Sequence, residues 1–254
     1  MKTSIKLVLI YFLMQILGAL TAAPIGMAYT YITTGTLTEA ALQTCVLSLA
    51  MLLGFLFMGL YLWRKGYLKN DGRLFSPVSS ACLGWSLLAG ASVIFLIDFL
   101  MSYLTFLPDL LRDTFDLLQS GWLGILCVAV LGPVLEELLF RGAITKVLLR
   151  RYDPFKAILF SGLIFGIFHL NPAQVVAASF SGFFFAWLYY KSGSLVPGIL
   201  IHILNNSLSV WLSLNYRETD TMAQLIGNPL YAVLVAVAAL LLLLSLNALR
   251  KLKF

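Results

Sequence analysis

Apolar residues run along this chain in long unbroken stretches, interrupted by short polar segments rather than alternating with them. Between Lys6 and Arg64 the only charge is Glu39, and further uncharged runs cover 74–97, 117–135, 157–190, 192–216 and 221–249. A helix needs roughly 20 apolar residues to cross a hydrocarbon layer of about 30 Å. Inside lipid every backbone N–H and C=O must be satisfied within the segment or within a closed barrel, and continuous rather than alternating apolar runs exclude the barrel. The pattern predicts an all-α, polytopic membrane bundle of about eight transmembrane helices, at 7–31, 40–62, 81–106, 121–145, 156–171, 173–190, 196–213 and 229–248. Composition agrees: 61% of the 254 residues are hydrophobic and 11% charged, against roughly half and a quarter in soluble domains.

The polar linkers sort by charge in strict alternation. One set carries Lys2 and Lys6, then Arg64, Lys65, Lys69 and Arg73, then Lys146, Arg150, Arg151 and Lys156, then Lys191, then Arg250, Lys251 and Lys253. The other carries Glu39, then Asp109, Asp113 and Asp116 with Arg112, then Glu218 and Asp220 with Arg217. The positive-inside rule makes the basic set cytoplasmic, so both termini are expected there, in a multi-pass protein of the cell membrane. The net charge of +6 is then a topology signal helped by anionic headgroups, not a nucleic-acid footprint. The first residues have the outline of a secretory signal with Ala22 and Ala23 at its end, but apolar character continues past Pro24 to Tyr31, which suits a retained span. Cys45, Cys82 and Cys127 lie unpaired in apolar stretches and read as small buried hydrophobes. No soluble domain or internal repeat stands out, so 1–254 is read as one integral membrane domain.

Ionisable groups inside a membrane are costly and mark function by default. Here they cluster: Glu136, Glu137 and Arg141 in the fourth span, His169 at the end of the fifth and His202 in the seventh, with Asp98 apart in the third. Glu137 and Arg141, four apart, share a helical face and can form an ion pair that lowers the burial cost of both. Glu136 points roughly 100° away, without that partner, and is free to take a proton from water. Pro133 lacks a backbone donor and is positioned to kink the helix just before the pair. Phe165 and His169 share a face, as do His202 and Asn206. A His with an Asn one turn on presents N–H donors together, as stabilisation of an oxyanion requires; equally, Asn205 and Asn206 suit plain hydrogen bonding between helices. Counted from the basic ends of their spans at ~1.5 Å per residue, Glu136, His169 and His202 fall ~15–20 Å deep, in a shared layer expected to open towards the cytoplasm. Asp98 reads as a residue that pairs with a neighbouring helix or reaches the interface, and the aromatics between Phe180 and Tyr190 as lipid contact.

Glu-Glu-x-x-x-Arg at 136–141, Phe-x-x-x-His at 165–169 and His-x-x-x-Asn at 202–206, in that order on successive helices, resemble the CAAX protease and bacteriocin-processing (CPBP, or Abi) family of intramembrane proteases. Each motif alone is weak, while the ordered set, within a motif core of about 121–213, is specific. The resemblance implies an eight-helix bundle with a cytoplasm-facing cavity. It implies that Glu136 and His169 activate water, that His202 and Asn206 hold the oxyanion, and that Glu137, Arg141 and Phe165 support them.

Amide hydrolysis needs a water-derived nucleophile, a base and donors at the carbonyl oxygen, and this set supplies all three. Neither His-Glu-x-x-His nor a Gly-x-Ser-x-Gly elbow is present. A metal-free site is favoured, although Glu136, His169 and His202 are adequate ligands for Zn. The expected partners are a peptide or membrane-protein substrate and the bilayer, with no nucleic acid. Two other classes fit the same residues: a non-catalytic immunity or regulatory protein that binds a peptide, and a proton-coupled transporter.

Overall fold

The computed structural model describes all residues except 38, 69–73, 217–220 and 253–254, and leaves the side chains of 39–42 undescribed. Lys69, Arg73, Arg217, Glu218, Asp220 and Lys253, and the Glu39 side chain, therefore lie outside the described residues.

The chain is helical, with no strand among the described residues. In order the helices are α1 (Lys2–Thr34), α2 (Glu39–Arg64), α3 (Ser80–Met101), α4 (Arg112–Gln119), α5 (Trp122–Leu149), α6 (Pro154–Phe168), α7 (Pro172–Ser192), α8 (Val196–Asn215), α9 (Met222–Ile226) and α10 (Asn228–Lys251). Seven of them are long and apolar enough to cross a membrane. The eighth expected span is α6, whose 15 residues rise only ~22 Å. It is shorter than the other spans, and His169 caps its end. The polytopic helical membrane bundle is thus borne out, with one span abbreviated.

Local chemistry sets where the helices begin and end. Ser79 Oγ accepts from the Cys82 N–H at the start of α3, and Asp153 Oδ1 accepts from the Lys156 N–H at the start of α6, where Pro154 occupies the first helical position. That backbone N–H, before any other influence, holds the exposed Asp153 carboxyl below the usual carboxylate range. At the other end of α7, Gly193 at φ 66° sends its N–H to the Tyr189 carbonyl, a left-handed cap that a Cβ would strain.

Two ends of the bundle are distinct. Ser194 Oγ donates to the Ser76 carbonyl at 2.9 Å and Leu195 N–H to the Leu74 carbonyl at 2.8 Å, joining the α2–α3 and α7–α8 linkers. The α5–α6 linker, with Arg150 and Arg151, and Lys156 in the first turn of α6 lie at this same basic end, where Gly142 of α5 approaches Leu74 and Leu195. At the opposite end Asn171 Nδ2 donates to Asp109 Oδ1 at 2.8 Å and the Leu110 N–H to Asn171 Oδ1 at 3.0 Å, joining the α6–α7 turn to the acidic α3–α4 linker. Among the described residues of these linkers, the charge alternation read along the sequence therefore separates in space.

The main core joins α1, α2, α5 and α6 through Leu7, Met58, Leu62, Leu139, Phe140, Ile144, Leu148 and Phe165. Cys82 and Cys127 are fully buried, Cys45 partly so, and all three are free thiols. Asp98 accepts from Tyr231 Oη at 2.7 Å, the pairing with a neighbouring helix expected of it. Helices α6 and α7 cross at glycines: a Cβ on Gly182 would lie 2.8 Å from the Gly162 Cα. Gly182→Ala should therefore push the pair apart and destabilise the fold by about 1–3 kcal/mol, read as a lower melting temperature in detergent.

Candidate active site

Helix α5 is not a uniform α-helix. Its turns Cys127–Leu131 and Phe140–Thr145 are π-helical, on either side of the Gly132–Leu139 segment that carries the two glutamates. Such bulges often mark functional positions. The first has a cause in the sequence. Gly132 N–H reaches back to the Cys127 carbonyl, and the next bond in that register would take the N–H of residue 133, which is a proline. The Val128 carbonyl is left over, and Asn206 Nδ2 of α8 donates to it at 3.0 Å. This is the usual remedy for a proline in a membrane helix, a donor borrowed from a neighbour. The second bulge is closed by Thr145 Oγ1, which reaches the Phe140 carbonyl at 2.8 Å and Ser161 Oγ of α6 at 2.6 Å.

Between the bulges the expected ion pair forms, Arg141 Nη1 to Glu137 Oε1 at 2.7 Å with both side chains buried. The same carboxylate oxygen lies 3.0 Å from His202 Nδ1. Because a carboxylate only accepts, Nδ1 carries the hydrogen and Nε2 is the outward nitrogen. Nε2 stands 3.7 Å from Glu136 Oε2. The adjacent glutamates thus meet opposite nitrogens of one ring. Arg141 is held further by the Gly182 carbonyl at 3.2 Å and by the faces of Phe165 and Phe185, at 4.4 and 5.1 Å from their centroids. Phe185 also stacks on His202, ring centroids 5.2 Å apart. Of the 180–190 aromatics, Phe180, Phe183 and Trp187 line an apolar groove of about 490 Å³ with α3 and α10, whereas Phe185 packs on the site, which corrects the lipid-contact expectation for that residue.

His169 caps α6. Its Nδ1 lies 2.8 Å from the Phe165 carbonyl, so this nitrogen too carries the hydrogen, leaving Nε2 as the acceptor of the neutral ring. The next residue, Leu170, sits at φ 54°, a left-handed conformation costly for a side chain bearing a Cβ. The strain is held by the bonds of Asn171 to Asp109 and Leu110, and by Ala173 N–H to the Pro108 carbonyl.

Glu136, Phe165, His169, His202 and Asn206 all line one polar cavity of about 700 Å³. Glu137 and Arg141 lie behind this wall. Glu136 keeps 15% of its side chain accessible. Sequence reasoning missed Ser209 and Ser213, which continue down the cavity wall, although a signal existed: 202, 206, 209, 213 and 216 are spaced by four and three, one polar stripe on α8. It also missed Gln174 and Ser181 on α7. Asp98, Asp109, Arg112 and Asp116 stand among the lining residues, at the acidic end. The cavity lining therefore runs from the site towards the acidic end, away from the basic linkers. The physical reason is that α8 starts at the basic end and runs from His202 out to Tyr216, while Glu137, Arg141, Phe140, Ile144, Leu195 and Ile201 fill the space on the basic side. Among the described residues no group of three His, Cys, Asp or Glu side chains is gathered closely enough to hold a metal ion.

Residues 118–208 match the family described as Type II CAAX prenyl endopeptidase Rce1-like. The chain is also similar to the Bacillus subtilis (strain 168) protein named "Putative membrane peptidase YdiL", 34% identical over 121 residues, covering 46% of this chain and 50% of that protein. It thus spans about half the length of that curated relative. No solved structure matches. The resemblance read from the three motifs is borne out over the segment that carries them, at the level of a family of membrane proteases.

The role of Asn206 as a surrogate donor has a direct check. Asn206→Ala should cost about 1–3 kcal/mol by leaving the Val128 carbonyl unsatisfied. In a Pro133→Ala background, where residue 133 regains its N–H, the same change should cost less. Thermal unfolding of the four proteins of this cycle measures the difference, and additive losses would refute the link.

Proposed function

We propose, from a motif-bearing segment of Rce1-like type, that this protein is an intramembrane endopeptidase that hydrolyses a membrane-associated or hydrophobic polypeptide. The observation that carries this reading is the meeting of Glu136, His169, His202 and Asn206 on the wall of one polar cavity, sunk in an otherwise apolar bundle.

Glu136 and His169 prepare the water. Both face the cavity, and each retains an acceptor: a carboxylate oxygen of Glu136 and Nε2 of His169. Glu136 takes the proton as water attacks the scissile carbonyl carbon and returns it to the departing amine, so that protons balance across the cycle. His202 and Asn206 face the developing oxyanion. For His202 this requires a hydrogen on Nε2 as well as on Nδ1, an imidazolium that Glu137 is placed to neutralise through its 3.0 Å contact. Asn206 uses one N–H on Val128 and has a second for the oxyanion. Glu137, Arg141 and Phe165 act through His202, holding its ring in place. No step in this scheme is routed through a metal ion.

The test is an unbiased comparison of polypeptide termini in membranes that carry the wild type or Glu136→Gln at matched protein levels. New termini are expected with the wild type alone, since the amide keeps the shape and loses the base. A loss of activity on the order of 100-fold or more in a purified assay matches removal of a general base. Identical termini in the two membranes, alongside a phenotype that survives Glu136→Gln, would remove the catalytic reading in favour of peptide binding.

A further inference from the structure

The two ends of this bundle carry different charge, and among the described residues the lining of the cavity reaches only the acidic one. Lys65, Arg150, Arg151, Lys156 and Lys191 mark the end at which the α2–α3 and α7–α8 linkers are bonded together. At that end the space beyond the site is filled by Arg141, Phe140, Ile144 and Leu195, all buried. From His202 the cavity follows the polar stripe Asn206, Ser209, Ser213 and Tyr216 along α8 to the other end, where Asp109, Arg112 and Asp116 of the α3–α4 region and Thr221 and Met222 flank it. Basic linkers stay on the cytoplasmic side because moving Lys and Arg across the membrane during insertion is disfavoured, and the bias is strongest for short linkers such as these.

We propose that the candidate site faces the extracytoplasmic side, so that it receives a polypeptide segment presented at the outer surface of the membrane. A prenylated C-terminal Cys-a-a-X tail, anchored on the cytoplasmic leaflet, is then not its substrate class. This inference rests on the protease reading for the word substrate, but the orientation of the cavity does not. Two independent features support it: the charge separation of the linkers, which fixes which end is inside, and the course of the lining residues, which fixes which end is open. The α6–α7 turn adds a third link, because Asn171 ties the His169 corner to Asp109; His169 is therefore approached from beneath the acidic linker.

The experiment uses the full-length chain with Cys45, Cys82 and Cys127 replaced by Ala, and single cysteines reintroduced as Ser213→Cys on the cavity wall, Thr221→Cys at its mouth and Lys65→Cys on a basic linker. A membrane-impermeant maleimide is applied to right-side-out and to inverted vesicles. Labelling of Ser213→Cys and Thr221→Cys is expected in right-side-out vesicles and its loss in inverted ones, with Lys65→Cys reversed. The opposite pattern would overturn the proposal, as would labelling of Ser213→Cys from the same side as Lys65→Cys. Thr221→Cys keeps the test decisive if the wall variant fails to fold. Because the readout needs no catalysis, the expected labelling pattern in membranes where Glu136→Gln changes no terminus would sink the protease reading and leave the orientation standing.

Discussion

One carboxylate oxygen organises the site. Glu137 Oε1 receives Arg141 at 2.7 Å and His202 at 3.0 Å, and everything else follows from burying that group where no water reaches. A carboxylate moved into an apolar interior costs several kcal/mol, and attraction to a partner offsets this only when geometry is good and the remaining hydrogens find acceptors. Arg141 meets part of that demand with the Gly182 carbonyl and the ring faces of Phe165 and Phe185. These contacts span α5, α6, α7 and α8, so the clamp fixes how four helices sit relative to each other. Removing one member leaves an uncompensated charge, and His202 loses the bond that sets which of its nitrogens faces the cavity.

The clamp also separates the roles of two neighbouring glutamates. Successive residues on a helix point about 100° apart, so Glu137 turns inward to the arginine and Glu136 towards the cavity. His202 inserts between them, one nitrogen for each. The same ring thus links a buried, ion-paired carboxylate to a partly accessible one. The proline before the pair requires the same close approach of α8, because Asn206 must reach the Val128 carbonyl. Two separate demands, one of charge and one of backbone bonding, bring α8 to α5 at points four residues apart.

Much of this was legible in the sequence, and for identifiable reasons. Spans are legible because bilayer thickness imposes a length on them, and the Glu137–Arg141 pair because it lies within one helix, where spacing dictates contact. The interhelical geometry was not. Nothing in the spacing says that His202 bridges two glutamates 65 and 66 positions away, or that Phe185 stacks on it. The short length of α6 was hidden because the apolar run continues through the turn into α7, and only the conformation at Leu170 with the Asn171 bonds marks the corner. The course of the cavity is not legible in the same way, because depth counted from the basic ends says how deep a residue lies but not which side is filled.

That last distinction bears on how the proposed hydrolytic site would work in this setting. Water must reach Glu136 without reaching Glu137, since hydration of the inner carboxylate would weaken its hold on Arg141 and His202. The described geometry meets both conditions through asymmetry: large apolar side chains and the clamp close one side, while small polar residues, Ser209, Ser213 and Ser181, line the other. A cavity open at both ends would satisfy the first condition and violate the second, besides providing a path for ions. Single-ended access thus suits a buried charge cluster placed directly behind a carboxylate that faces the cavity.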